Sequence, residues 1–351
     1  MLTEEKKPAT LAKRALVMTA LSVLALGGAV GCGPDTTPGS RLATTRVLGA
    51  RIVAGGDPAR TWPRPGESVT VSWVVAGPRP RPLAWSFRTT ACAATMDDDG
   101  CAASGGVVPP VGPEGGSGQG DGVSPPVLAI AAPASGAGVN RLLVSGVICA
   151  GGAVGDPSAP AWSRCAPTAD DGLSAVDETD VRLTVWLQLG EAGNAPPSLA
   201  GAAVTWAGDA WLSGAADSTF TSSGGPCAGD ASMPQVVRAD DEERDVVVTI
   251  DGANRESIDG ASGAAGAMTR EQAQVSAFTT LGSFATQFGT VPSSDTRAAT
   301  PVLFKWTAPS ASDAQLDPDG RVVRFVFVVR DGRGGLDATT RTLCLVPPPK
   351  T

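Results

Sequence analysis

Between Val323 and Val329 every second residue is large and apolar: Val323, Phe325, Phe327, Val329. Only an extended strand lines such residues up on one face, since a helix would scatter them around its circumference. Asp331-Gly332-Arg333-Gly334-Gly335 then supplies positions that accept positive φ, and 336–346 returns, so the stretch predicts a β-hairpin with Arg324 and Arg330 on its solvated face. The same period places Val181, Leu183, Val185, Leu187 and Leu189 opposite Arg182, Thr184, Trp186 and Gln188. It recurs in Val69, Val71, Trp73 and Val75. Further strands are expected over 46–53, 83–89, 127–131, 141–149, 245–250, 275–279, 283–288 and 302–306. With 44 Gly and 29 Pro in 351 residues, long helices are not expected after the leader, and the fold class reads as all-β.

That length predicts two domains. A boundary falls at 191–198, Glu191-Ala-Gly-Asn-Ala-Pro-Pro-Ser198, where a strand pattern stops and a new apolar pattern begins at Leu199. Two tandem β-sandwiches are therefore expected in series, over 46–190 and 199–347.

The start has another logic. Lys6, Lys7, Lys13 and Arg14 precede an apolar run of about a dozen residues, too short for a membrane-spanning helix, and small residues lead to Cys32. Ala29-Val30-Gly31-Cys32 resembles the lipobox of bacterial lipoproteins, although Ala29 stands where that motif usually has Leu. The resemblance implies a signal peptide over 1–31, cleavage before Cys32, fatty acylation (diacylglycerol and palmitate) of that residue, and a tether over 32–45. With Gly33 following, it implies the outer membrane of a diderm cell envelope.

Without residues 1–31 the chain keeps 23 basic and 33 acidic residues, a formal charge of −10. Such a balance repels phosphate backbones, so nucleic acid is not an expected partner. There is no histidine, which removes imidazole-based triads and histidine metal ligands together. No Gly-x-Ser-x-Gly, Ser-x-x-Lys, P-loop or dinucleotide fingerprint is present, so the chain is read as a non-enzyme without cofactor. The acidic run Asp97-Asp98-Asp99 lacks calcium-loop spacing, and Asp251, Asn254 and Glu256 are no better, so no metal site is assigned.

Beyond Cys32 six cysteines remain: Cys92, Cys101, Cys149, Cys165, Cys227 and Cys344. An even set in an exported chain reads as disulfides. Of the roughly 15 possible connectivities, loop economy favours Cys92 with Cys101, Cys149 with Cys165, and Cys227 with Cys344.

The segment 328–335, together with Trp306-Thr-Ala-Pro309 and Asn194-Ala-Pro-Pro197, resembles the closing strands of cadherin-like and PKD-like immunoglobulin-fold modules. Arg64-Pro-Gly-Glu-Ser-Val-Thr-Val-Ser-Trp73 and Trp85 resemble the opening strands of another. The resemblance implies no catalytic residues, and the linker lacks the acidic motifs by which true cadherins bind calcium. The expected function is a lipid-anchored spacer or protein-binding module of the envelope. The alternative is a carbohydrate-binding surface built on Trp186, Trp206 and Trp211, since exposed indole faces stack on sugars.

Overall fold

Each alternating stretch forms a strand, and the strands assemble into four main sheets. The computed structural model describes residues 39–79, 81–93, 107–108, 117–120, 126–134, 139–155, 164–167, 176–188, 193–199, 204–211, 227–231, 234–237, 242–258, 269–310 and 318–348. The leader, Cys32, Cys101 and the run 97–99 lie outside them. Among the described residues there is no α-helix, and no helix is long and apolar enough to cross a membrane.

The first sheet has three strands, in the order Arg46–Ala54, Ser68–Ala76, Val127–Ala131. Its pairing sets Val71 between Ile52 and Leu128. The second has Asp177–Trp186, Val139–Ala150 and Leu83–Ala93 in that order, with Val107–Val108 and Ser117–Gly120 both paired to the last. Between these sheets Ile52, Val69, Val71, Trp73 and Ile130 meet Phe87, Leu142, Val144, Ile148, Val181 and Val185. The rings of Trp73 and Phe87 stack at 5.1 Å across the gap.

The third sheet runs Asp209–Ala210, Val204–Trp206, Glu243–Asp251, Ala299–Thr307, Ser283–Phe284. The fourth runs Gln235–Val237, Leu336–Val346, Arg321–Arg330, Ala273–Thr279, Phe288–Val291, and its one parallel pairing is that of Gln235–Val237 with Leu336–Val346. Val246, Val248, Ile250, Phe304 and Trp306 face Val275, Phe325, Phe327 and Leu343 across this second core. The 283–288 stretch, expected as one strand, crosses between the two sheets: Ser283–Phe284 belongs to the third and Phe288–Val291 to the fourth. The chain is thus all-β and sandwich-like, each half burying alternate side chains between two sheets.

The two halves pack against each other. On the outer face of the first sheet Leu48, Val74 and Ala76 pack against Phe278, Val326, Val328, Leu336 and Ala338 from the outer face of the fourth. The sheets therefore stack in the order second, first, fourth, third. Gly49 sits at a register shift in the first strand with φ +139°, and a Cβ there would collide with Cδ1 of Leu336, so glycine is what permits the approach.

This stacking corrects two expectations. Arg324 and Arg330 do not meet water freely, because the face they share with Val326 and Val328 is covered by the other half. Arg324 is buried, and Arg330 donates Nη2 to Leu48 O and Nη1 to Ser276 Oγ at 3.2 Å. Nor do residues 39–45 form a tether. Arg41 bridges in parallel to Thr279, Leu42 N donates to Thr279 O at 2.7 Å, and Thr279 N donates to Ser40 O at 2.9 Å. Leu42 is wholly buried in the seam between the halves, and that apolar burial fixes the segment.

Among the described residues two disulfides are formed, Cys149 to Cys165 and Cys227 to Cys344. They fit an oxidising, exported environment. The expected Cys92–Cys101 bond involves residue 101 and so falls outside the described residues.

Candidate functional site

Among the described residues, polar groups from both halves meet at the hairpin turn after Arg330. Asp331 closes the turn: its Oδ1 accepts from Arg333 N at 2.7 Å and from Gly335 N at 2.8 Å. Gly332 and Gly334 occupy positive φ, as the glycine-rich sequence requires. The turn so fixed projects Arg333, whose Nη1 lies 2.8 Å from Glu256 Oε2 and 3.4 Å from Glu271 Oε1.

The other half grips the same turn. The Arg333 guanidinium lies 4.7 Å from the ring centre of Trp62, and Trp62 Nε1 donates to Arg333 O at 2.8 Å. Asn194 donates Nδ2 to Asp331 Oδ2 at 2.7 Å and to Thr61 Oγ1 at 2.9 Å. Thr61 returns its N–H to Asn194 O at 2.9 Å. Nearby, Asp337 accepts from Arg51 Nη2 at 2.5 Å and from Leu199 N at 2.7 Å. One hairpin end is therefore bonded to the first half, to the connection between halves, and to the second half's own carboxylates.

Burial shapes the electrostatics. Glu271 is 2% exposed, and burial, reinforced by the charges of Asp331 and Glu256 against the opposing pull of Arg333, pushes its carboxyl up to about 8. Burial also raises Asp331, opposed by the hydrogen bonds from Asn194, Arg333 and Gly335. Arg255 packs behind Glu271 and gives its donors to backbone: Nε and Nη2 to Glu271 O, Nη1 to Asp295 O, and Nη2 also to Pro292 O. The cluster sets three carboxylates around one guanidinium where the two halves meet.

The tryptophans singled out from sequence do not form one surface. Trp206 and Trp211 are 8% and 2% exposed, packed edge to face at 5.0 Å among Trp306 and Phe325 in the second core. Trp211 Nε1 is satisfied by Thr342 O at 3.0 Å. Their role is to fill a sandwich interior, so neither offers a face to a ligand. Trp186 alone of the three is exposed, at 38%, with the Arg141 guanidinium 4.4 Å from its ring centre. Asp251, Asn254 and Glu256 diverge: Asp251 accepts from Ala253 N, Asn254 donates to Ser198 O, and Glu256 pairs with Arg333.

Sequence reading missed Trp62 and Glu271, because nothing local marks a residue whose partners come from other strands, Arg333 lying 271 positions from Trp62 and 62 from Glu271. Asn194 and the 331–335 turn were visible only as boundary and turn. No protein-family model matches this sequence, and no curated protein matches it.

Proposed function

We propose that this chain is a non-catalytic, lipid-anchored protein of the cell envelope, whose two immunoglobulin-like β-sandwiches form one block that presents a protein-binding surface. The observation that carries the reading is Val30-Gly31-Cys32 behind a basic, apolar leader, in a chain whose later cysteines form disulfides. Acylation at Cys32 by more than one chain anchors stably, where a single chain would not.

The packed seam favours a compact binding body over an extended spacer. Six residues separate Cys32 from Gly39, where docking on the second half begins. Fully extended, that connection reaches no more than about 25 Å. The body is thus held close to the bilayer, and in a diderm cell the outer membrane is its place.

Metabolic labelling with a clickable palmitate analogue tests the anchor. Wild type is expected to carry label and to fractionate with membranes, while Cys32→Ala loses both. Equal membrane retention without label overturns the reading. A glycan-binding role retains one supporting observation, the exposed Trp186 against Arg141. It predicts that soluble polysaccharide protects an acrylamide-quenchable fluorescence that Trp186→Ala removes.

A further inference from the structure

We propose that the junction is a pH-responsive joint: the turn 331–335 is held between the halves while Glu271 is protonated, and ionisation of Glu271 loosens that grip. The geometry carries the argument. Facing the Glu271 carboxyl are the carboxylates of Asp331 and Glu256 and the guanidinium of Arg333. Behind its backbone stands Arg255, committed to carbonyl oxygens, with Arg270 and Asp295 close to that guanidinium in turn. A proton on Glu271 leaves two carboxylates to one guanidinium, with Glu256 paired to Arg333 at 2.8 Å and Asp331 held by its own hydrogen bonds. Without it, three negative charges share one guanidinium, two of them, on Glu271 and Asp331, buried, and the nearest relief is to separate those two or to admit water to them.

Separation acts on the grip directly. Asp331 is the group that Asn194 holds, and Arg333 is the residue that Trp62 stacks on and bonds. Both are contacts from outside the hairpin's own sheet, so repulsion between Glu271 and Asp331 is transmitted to the seam rather than absorbed within the second core. The high proton affinity of Glu271 in the closed arrangement agrees with this. Any opened state that hydrates the carboxyl binds the proton less tightly, so raising the pH favours opening.

Hydrogen exchange of the purified folded chain from pH 6.5 to 9, corrected for the intrinsic rate, tests the joint. Peptides carrying Thr61–Trp62 and 331–335 are expected to open roughly tenfold more readily at the top of that range, as release of one proton allows over a pH unit. Peptides from 302–306 stay protected. Glu271→Gln, which keeps the neutral shape, should show no such rise. A flat wild-type profile, or an equal rise in Glu271→Gln, overturns the proposal. Should that variant not fold, the wild-type 13C-carboxyl titration of Glu271 decides: a midpoint near that of an ordinary glutamate overturns it, and a midpoint that coincides with the loss of protection supports it.

Discussion

Asn194 donates its Nδ2 to Asp331 Oδ2 at 2.7 Å across 137 positions of sequence, and both residues are buried. The bond joins the connection between halves to the tip of the last hairpin, with Thr61 of the first half on the same nitrogen. One amide therefore holds three chain segments.

Truncating that amide should be felt widely. Asn194→Ala leaves Asp331 and Thr61 short of a buried donor, a change worth about 1–3 kcal/mol. The expected result is a lower denaturant midpoint with an unchanged m-value, and an altered emission from Trp62. A midpoint identical to wild type would show that the bond adds nothing to folding.

Gly49 should resist substitution for two separable reasons, its φ of +139° and the approach of Leu336. Gly49→Ala is expected to destabilise by about 1–3 kcal/mol. Part of that loss should vanish in a Leu336→Ala background, where the collision is relieved, giving a coupling of at least about 0.5 kcal/mol in a double-mutant cycle. Strict additivity would place the whole cost in the backbone conformation.

The two disulfides should differ in both access and weight. Cys344 is fully buried and Cys227 nearly so, whereas Cys165 is partly accessible, so graded reductant is expected to open Cys149–Cys165 first, read by mass-tagged alkylation. Sequence separations of 16 and 117 make the second bridge the stronger constraint on the unfolded chain, about 3 against nearly 5 kcal/mol in the chain-entropy account. Cys227→Ala with Cys344→Ala should accordingly lower the melting temperature more than the other pair of substitutions.

Stability should peak in weakly acidic solution. The Arg60 side chain, bonded to Glu67 at 3.0 Å, and then the Arg64 N–H, lower the Glu67 carboxyl, and Arg297 lowers Asp295. Stabilisation from such depressed groups is present above the ordinary carboxylate range and is lost as the pH falls through it. Glu271 has the opposite sign: raised from 4.5 to about 8, it stabilises fully below the unfolded value and progressively less as the pH climbs toward 8. Thermal unfolding from pH 3 to 9 should give a maximum near the lower of those values, and Glu271→Gln should flatten the alkaline limb alone.

Much of the architecture was legible because period-two alternation names the face that enters a core. Val323, Phe325, Phe327 and Val329 all lie in the second core, and Trp73, Val71 and Val69 in the first. The arrangement of the halves was not legible, since alternation says which residues avoid water without saying what covers the other face. A signal did exist: Val74, Val326 and Val328 occupy positions that a solvated face would fill with polar residues, and strands buried on both faces read as nearly continuous apolar runs. Arg324 and Arg330, charged and interspersed there, hid it. Trp206 and Trp211 could not be assigned from sequence, because an indole suits a core and a sugar platform equally until its neighbours are known.

The docking of Ser40 beside Phe284, 244 positions away, has a consequence for how the molecule comes into being. A chain delivered from its amino end presents residues 39–42 first, yet their resting place does not exist until the strand ending at Thr279 has arrived. The earliest described segment therefore cannot settle until Thr279 and Phe284 have been delivered, and the seam it fills waits on Val326, Val328 and Leu336 as well.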